Sequence, residues 1–502
     1  MKVLNATQIK EADQFTIEHE PIKSIDLMER ASRAFVEWFE EEFDKSRPVF
    51  IFCGTGNNGG DGLAIARILA TRQWKIHTFT LRRSAGGTHD FTMNYLKLAE
   101  LFEICNIEKM QDVGLSLSEN DIVIDAIFGS GLSRPATGIY AKMIEFINKA
   151  PATVVSVDLP SGLFMDSSSK GGAVVQAEHV VSFQLPKLAF FMPENAPFVK
   201  LWHLVDIGLN TDFLSNSVAD YEYIEHQDVQ PLIKNRPRFA HKGDFGSSLL
   251  ISGSYGTMGA SVLATKACLR AGAGLVTAYV PSCGYDIMQT AAPEAMVRTD
   301  VGERFLTGIP DVRQYAAIGV GPGINRNLET YRVIEQLIRQ YRRPIVFDAD
   351  ALNIMADERN LLLGVPEGSI LTPHPGEFRR LVGDWENDFE KLQKQRSLAT
   401  AHKVVVVLKG AYTSIATYDE PIYFNSTGNP GMASGGSGDV LTGIITGLLS
   451  QGYSSAEAAI LGVYLHGLAG DIAVKQLGEQ AMVAGDIINH LPAAFLALRR
   501  KS

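Results

Sequence analysis

The chain has 502 residues, which at roughly 100 to 200 residues per domain means two or three domains and excludes a single small module. Its 46 Lys and Arg against 56 Asp and Glu give a formal net charge of -10 without blocks of like charge, which argues against a nucleic-acid protein built on phosphate neutralisation. Apolar residues at 46% and charged ones at 20% exclude disorder as a main theme, and the 46 glycines are a mild excess. Cys53, Cys105, Cys268 and Cys283 stand far apart, with no CxxC and no histidine at zinc-ligand spacing, so buried reduced thiols are expected. The opening MKVLNATQIKEADQF lacks a basic region followed by an apolar run and does not read as a secretory signal, so a cytoplasmic location is expected. The longest uncharged stretches, 245–265 and 440–456, are rich in Gly, Ser and Thr and read as buried turns and helices, so no membrane span is expected.

In chain order, two amphipathic helical stretches over about 7–45 precede alternating apolar runs and helical patterns: PVFIFC, a helix over 63–71, KIHTFTL, a helix near 90–102, DIVIDA, a helix over 142–149, and TVVSVD. Strands alternating with helices predict right-handed crossovers and a parallel sheet covered on both faces. The expectation is α/β, with a Rossmann-like three-layer N-terminal domain over about 1–212. The pattern decays through VVSF and LWHLVDIGL, and the polar stretch over about 210–227 has no periodicity, which places the domain boundary there. Alternation resumes with SSLLIS, a helix over 259–270, GLVTAYV, YAAIGVG, a helix ending near 342, PIVFDAD, SILTPHPGE, VVVVLKG and a mainly helical end after Gly436, a second α/β domain over about 225–500.

CGTGNNGGDG follows a predicted strand and opens a helix, and Gly54, Gly56 and Gly59 satisfy GxGxxG, so a dinucleotide turn is the first hypothesis. Asn57, Asn58 and Asp61 weaken it, because a pyrophosphate needs bare N–H groups at the helix start and Asp61 competes for them. About 20 residues on, the next strand ends in Leu81, Arg82 and Arg83, with no acid for a ribose; an arginine there leaves a 2′-phosphate open. The plain alternative makes Asp61 the N-cap of a structural turn. Two more loops belong at the same sheet edge: DIVIDAIFGSGLSRP, with Asp125 at the strand end, and TVVSVDLPSG, with Asp158 at the strand end and then Ser161. In an open parallel sheet such loops converge outside the strand carboxyl ends. Asn58, Asp125 and Ser161 then offer oxygen ligands suited to a weakly held alkali or alkaline-earth cation, although each acidic strand end alone also reads as a helix cap.

NNGGDG, DAIFGSGL and VDLPSG, in this order and at these separations, resemble the NAD(P)H-hydrate epimerase domain over about residues 1–210. The resemblance implies that Asn57, Asn58, Gly59, Gly60 and Asp61, with Gly129, Ser130, Gly131, Leu132, Ser133, Arg134 and Pro135, hold a hydrated nicotinamide nucleotide, and that Asn58, Asp125 and Ser161 bind potassium. It also puts Asp158 against the substrate as the candidate proton-transfer group, since epimerising a C6 hydroxyl develops charge on the dihydropyridine ring. The family's glycines after Lys187 are replaced by LAFFMPENA, a departure expected to touch the edge strands rather than the crevice.

In the second half, NPGMASGGSGDVLTG sets Asp439 after Gly436, Ser437 and Gly438 and before an apolar helix. Successive N–H groups pointing into one concavity, with the helix dipole behind them, make an anion hole for a transferring phosphoryl group, and the adjacent carboxylate is its base. A bland glycine-packed helix start is the alternative, and no GxxxxGK[ST] occurs. GGSGDVLTG resembles the anion-hole loop of ribokinase-like kinases. Together with HKGDFGS, RAGAGLV, GVGPG, DADALN, LTPHPGE, LKGA and LHGLAGD it resembles the ADP-dependent NAD(P)H-hydrate dehydratase domain over about 228–500. By position, the resemblance implies that Ala260, Gly323, His374 and Asp439 face the hydrated nucleotide. Lys409, Gly410, Ala411, Tyr412 and Thr413, with the stretch from Asn429 through Gly435, Gly436, Ser437 and Gly438, would hold the adenine nucleotide. Taken singly, His374 also reads as a satisfied loop histidine, Asp348 of DADALN as a helix cap and Lys409 as a solvated strand end.

The resulting expectation is a bifunctional repair enzyme for hydrated NADH and NADPH (NADHX and NADPHX). It epimerises the R and S hydrates with potassium and dehydrates the S form with ADP and magnesium, giving AMP and phosphate. Its partners would be these small molecules, with no nucleic acid and no membrane, in a homo-oligomer. The alternatives are a ribokinase-like kinase of a vitamin alcohol, an NADP oxidoreductase using GTGNNG, and a non-catalytic first domain.

Overall fold

In the computed structural model, residues 1–81 and 86–499 are described, apart from the side chain of Asp112; Arg82 and Arg83, and with them the 2′-phosphate reading, lie outside the described residues. The chain divides into two compact units, with the main break between Tyr221 and Glu222.

The first unit is built on strands β1 (Val49–Cys53), β2 (Ile76–Leu81), β3 (Ile104–Ile107), β4 (Ile122–Ala126), β5 (Thr153–Val157), β6 (Ala177–Phe183) and β7 (Val199–Val205). They lie in the order β3-β2-β1-β4-β5-β6-β7, all parallel. Strands buried on both faces read as unbroken apolar runs, as VFIFC and IVIDA do. Phe35, Phe39, Ile51 and Leu63 form the core on one face, and Phe52, Phe79, Val123 and Ile144 that on the other. Helix α1 (Ala6–His19) starts at a capping box of Asn5 and Gln8, and is followed by α2 (Ser24–Glu42), α3 (Asn57–Thr71), α4 (His89–Ala99) and α5 (Ile139–Lys149). Val49 pairs with Ile76 on one side and Ile122 on the other, so the strand order reverses between β1 and β4 and a crevice opens at their carboxyl ends.

Several expectations are corrected. Edge strand β3, sequence ICNI, was not foreseen, because only Ile107 is buried and no alternation marks it. Cys105 on this strand is exposed, so it is not a buried thiol; Cys53 and Cys268 are buried, Cys283 is intermediate, and all four are free. The stretch at 210–227 holds a short helix, Thr211–Asn216, capped by Asn210, and a strand, Tyr221–Ile224. The departure after Lys187 leaves β6 and β7 paired; Leu188–Phe191 form a buried 3-10 turn beneath them.

The second unit contains β8 (Ser247–Ile251), β9 (Leu275–Val280), β10 (Met296–Thr299), β11 (Ala317–Val320), β12 (Ile345–Phe347), β13 (Ile370–Leu371), β14 (Val405–Leu408), β15 (Ser414–Ala416) and β16 (Ile422–Asn425). Their order is β16-β15-β14-β13-β12-β11-β8-β9-β10, parallel from β10 to β14 and antiparallel over β14, β15 and β16. Helix α6 (Met258–Arg270) packs on α9 (Ser437–Ser450) with Gly443 against the Ala264 carbonyl, a contact too close for any Cβ. Between them in sequence lie α7 (Ala349–Asp357) and α8 (Pro375–Val382); α10 (Ser455–Leu477) follows. Among the described residues α10 alone is long and apolar enough to cross a membrane, and 61% of its apolar window is buried, as in a core helix.

Candidate active sites

At the switch point of the first sheet, Asn57, Asn58 and Asp61 from the start of α3, Gly129 to Pro135 after β4, and Asp158 after β5 line one cavity of about 770 Å³. Gly59 and Gly60 do not line it. A Cβ on Gly59 would overlap the Gly54 carbonyl, so this glycine packs α3 onto the loop. Gly56 is the N-cap of α3 and Asp61 lies inside its second turn, which corrects the N-cap reading of Asp61. Burial, then the charges of Asp158, Asp13 and Asp90, hold the Asp61 carboxyl well above its ordinary value.

Asp125 and Ser161 are fully buried and do not line the cavity. The Asp125 carboxylate accepts from Ser161 N and Ser156 Oγ at 2.8 Å each and from Ser161 Oγ at 2.5 Å, and Ser161 Oγ also accepts from Phe128 N at 2.8 Å. Burial nonetheless keeps Asp125 above its ordinary value, because desolvation outweighs these bonds. Asn58 is nearly buried, its Nδ2 has no hydrogen-bond partner among the described residues, and a Cβ on Gly129 would lie 3.2 Å from its side chain.

Asp158 itself has φ +63, a left-handed conformation uncommon for a residue other than glycine. Its Oδ1 accepts from Lys187 Nζ at 3.0 Å, Phe183 N at 3.1 Å and Ser182 Oγ at 3.2 Å. Lys187 is 1% exposed and donates also to the carbonyls of Phe183 (3.1 Å) and Leu185 (3.0 Å), so all its N–H groups are engaged. Lys187 itself lines the crevice.

In the second unit the ends of adjacent parallel strands meet the start of α9. Gly436 takes φ +95 as its N-cap, a conformation glycine permits, and Asp439 follows in the first turn. Asp348, just after β12, is the N-cap residue of α7, as the sequence allowed, but its side chain makes no capping hydrogen bond and turns to other partners. Its buried carboxylate accepts from Lys409 Nζ (2.9 Å), Thr372 Oγ1 (2.9 Å) and Thr442 Oγ1 (2.8 Å). Lys409 is therefore not a solvated strand end: its ammonium is held above its ordinary value by Asp348 and Glu377, against the pull of burial. Gly438 stands over this pair, since a Cβ on it would lie 3.2 Å from Lys409 Nζ. Burial first, then the Asp348 charge, push Asp439 up to about 7, with Lys409 opposing.

His374 caps α8, its Nδ1 accepting from Gly376 N at 3.0 Å, and half its side chain stays exposed. Thr257 joins Ala260 and Gly323: its carbonyl accepts from Ala260 N at 3.2 Å and its Oγ1 donates to Gly323 O at 2.8 Å. Gly410 to Thr413 form the turn between β14 and β15, closed by Thr413 Oγ1 on the Gly410 carbonyl at 3.0 Å. Asn429 is tied to Asp471 at 2.9 Å, and the Ser437 carbonyl bonds to Nε2 of half-buried His466, whose imidazole is pushed down to about 4 by desolvation. Asp348, Glu377 and Lys187 were not singled out as site residues. The signal for Asp348 was its place directly after a buried strand.

An open parallel sheet with an acidic crevice at its switch point, followed by a second, mainly parallel sheet whose strand ends surround a glycine-started helix and its aspartate, defines a two-domain α/β enzyme. The second half is ribokinase-like: a ribokinase-like superfamily protein of Enterococcus faecalis matches with a TM-score of 0.51 at 27% identity, covering 57% of this chain and 99% of that one. Residues 248–493 match the NAD(P)H-hydrate dehydratase family model and residues 24–189 the model of the YjeF-related protein N-terminus. The bifunctional NAD(P)H-hydrate repair enzyme Nnr of Moorella thermoacetica is 38% identical over 98% of this chain and 96% of its own, and that of Escherichia coli is 31% identical over 93% and 88%. The chain belongs to the family of bifunctional NAD(P)H-hydrate repair enzymes.

Proposed function

We propose that the first unit interconverts the R and S hydrates of NADH and NADPH and that the second returns the S hydrate to the reduced nucleotide with ADP. The observation that carries this reading is Asp439, set in the first turn of α9 beside Gly436 and Gly438 and titrating near neutrality. Such a carboxylate takes the proton of the C6 hydroxyl as that oxygen attacks the β-phosphorus of ADP, and AMP departs. The N–H groups at the helix start meet the phosphoryl oxygens, and Lys409, anchored on Asp348, adds positive charge beside them. Phosphate then leaves with the ring-nitrogen lone pair behind it, and loss of the C5 proton restores the 5,6 double bond. Magnesium, entering with ADP, supplies charge neutralisation for the phosphates.

In the first unit, Asp158 is the proton-transfer group facing the nicotinamide ring in the cavity formed by the Asn57 and Gly129 loops. Asn58, Asp125 and Ser161 would hold potassium. Their all-oxygen donor set, and an Asp125 carboxyl raised by burial that a cation would relieve, fit such an ion, which supplies fixed positive charge beside the crevice.

Mixed hydrates incubated with ADP and magnesium, followed by reduced-nicotinamide absorbance, test the reading. Wild type is expected to give nearly full recovery and Asp439→Ala none. Asp158→Ala or Asn58→Ala should give a fast phase, then a slow one limited by spontaneous epimerisation. No recovery with wild type, or accumulation of a stable phosphorylated alcohol as in a kinase, would overturn it.

A further inference from the structure

The crevice of the first unit contains a carboxyl group that the three loop motifs do not include. Asp13 stands on α1, outside residues 24–189 matched by the N-terminal family model, yet it lines the same cavity as Asn58, Asp61, Asp158 and Lys187. Its surroundings contrast with those of Asp158. The Asp158 Oδ1 is gripped by Lys187, Phe183 N and Ser182. Among the described residues no hydrogen bond or ion pair to the Asp13 side chain is found. Lys187 has no N–H to spare, because two go to the carbonyls of Phe183 and Leu185 and the third to Asp158.

We propose that Asp13 is a second proton-transfer residue of the epimerase reaction, the acid that protonates the departing C6 hydroxyl, while Asp158 takes the proton from the water that returns. This rests on the reading of the crevice as the epimerase site. As the C6–O bond breaks, Asp13 gives its proton to the leaving oxygen and the N1 lone pair forms the C6–N1 double bond, leaving water and a ring iminium. Water then adds to the opposite face of C6, the C6–N1 π electrons return to nitrogen, and the released proton goes to Asp158. Asp13 has lost one proton and Asp158 gained one. Its passage back across the pair restores the starting state, and no oxidant or reductant is needed.

The electrostatics support this division of labour. Burial, then the Asp158 charge, push Asp13 up to about 6, with Lys187 opposing. Two neighbouring carboxyls whose surroundings differ in this way can hold a proton on one and a charge on the other. The groups facing Asp13 are Asp158 after β5, Lys187 after β6 and Asp61 on α3, with Lys10 of its own helix lining the same cavity.

The test uses the full chain, the R hydrate without ADP, and chromatographic separation of the epimers. For Asp13→Asn we expect kcat to fall about 100-fold with KM for the R hydrate little changed. We also expect wild-type kcat to decline from pH 6 to pH 8 and the residual activity of the variant not to. Dehydration of pure S hydrate with ADP, measured on the same preparation, should equal wild type and so report an intact chain. A loss of less than tenfold overturns the proposal. Should the variant lose S-hydrate dehydration too, Asp13→Glu and the wild-type profile decide: Glu activity below that of Asn, or a flat wild-type kcat between pH 6 and pH 8, overturns it. Wild type that fails to convert R to S hydrate at all refutes the epimerase reading itself, a separate result.

Discussion

Asp439→Asn separates the cost of keeping a carboxyl in the second site from its use there. Burial and the Asp348 charge raise Asp439 from the ordinary 3.8 to about 7 in the folded protein. A group raised on folding contributes stability that is present below its unfolded value and is lost as pH climbs through its folded one, here between about pH 4 and pH 7. The rise corresponds to at most about 4 kcal/mol. Asparagine keeps the shape without the charge. The variant should therefore be more stable than wild type by up to about 4 kcal/mol at pH 8 and by roughly 1.5 kcal/mol at pH 5. Calorimetry of the full chain reads this as an upward shift of the second unit's transition, at roughly 2 to 4 °C per kcal/mol. That gives roughly 8 °C or more at pH 8 and roughly 3 °C at pH 5, while ADP-dependent dehydration is lost. A gap that does not change with pH, or a variant less stable than wild type at pH 8, would refute the account of a carboxyl held against its solvation.

Two other substitutions test the neighbouring contacts. Lys409→Met removes the charge that opposes the rise of Asp439, so the ascending limb of kcat/KM should move to higher pH by on the order of one unit. The same change leaves Asp348 buried beside two threonines without its ammonium, at a cost of about 3 kcal/mol or more in chemical denaturation; an unmoved limb with unchanged stability contradicts the pairing. Gly59→Ala sets a methyl against the Gly54 carbonyl, so it should abolish R-to-S conversion and leave S-hydrate dehydration intact. Epimerase activity within twofold of wild type would show that the loop does not need this close approach.

The parts of this molecule that can be read in its sequence are those where the backbone or the solvent leaves little choice. VFIFC, IVIDA and VVVL announce strands because helices cover both faces of the sheet, whereas ICNI, an edge strand with one buried residue, carries no such mark. Glycine loops are legible for the same reason: Gly436 needs its positive φ and Gly59 its close approach, whatever ligand is present. Charged residues that act through distant partners are not. Glu377 lies in the first turn of a helix behind His374 and looks like an ordinary capping-box acid, which it also is. Asp13 follows Ala12, and both Ala12 and Thr16 are buried, so an acid at the border of a buried helical face was the one available sign.

A common electrostatic device recurs in the two sheets. In the first, buried Lys187 anchors Asp158 at 3.0 Å, and in the second, Lys409 anchors Asp348 at 2.9 Å. Each anchored carboxylate is the leading charge that raises a neighbouring acid, Asp13 to about 6 and Asp439 to about 7, with the lysine opposing in both cases. In each pair the lysine offsets part of the cost of burying the carboxylate beside it, and the carboxylate's charge adds to burial in raising the second acid. The arrangement therefore depends on the pair as a unit. Removing the lysine strands the anchored carboxylate, while removing the carboxylate frees the lysine to lower the neighbouring acid directly. On this argument Asp348→Asn should move the ascending limb of dehydration to lower pH, opposite in direction to Lys409→Met. A shift of the same sign in both variants would mean that the charges at this site do not act on Asp439 as a lysine-carboxylate pair.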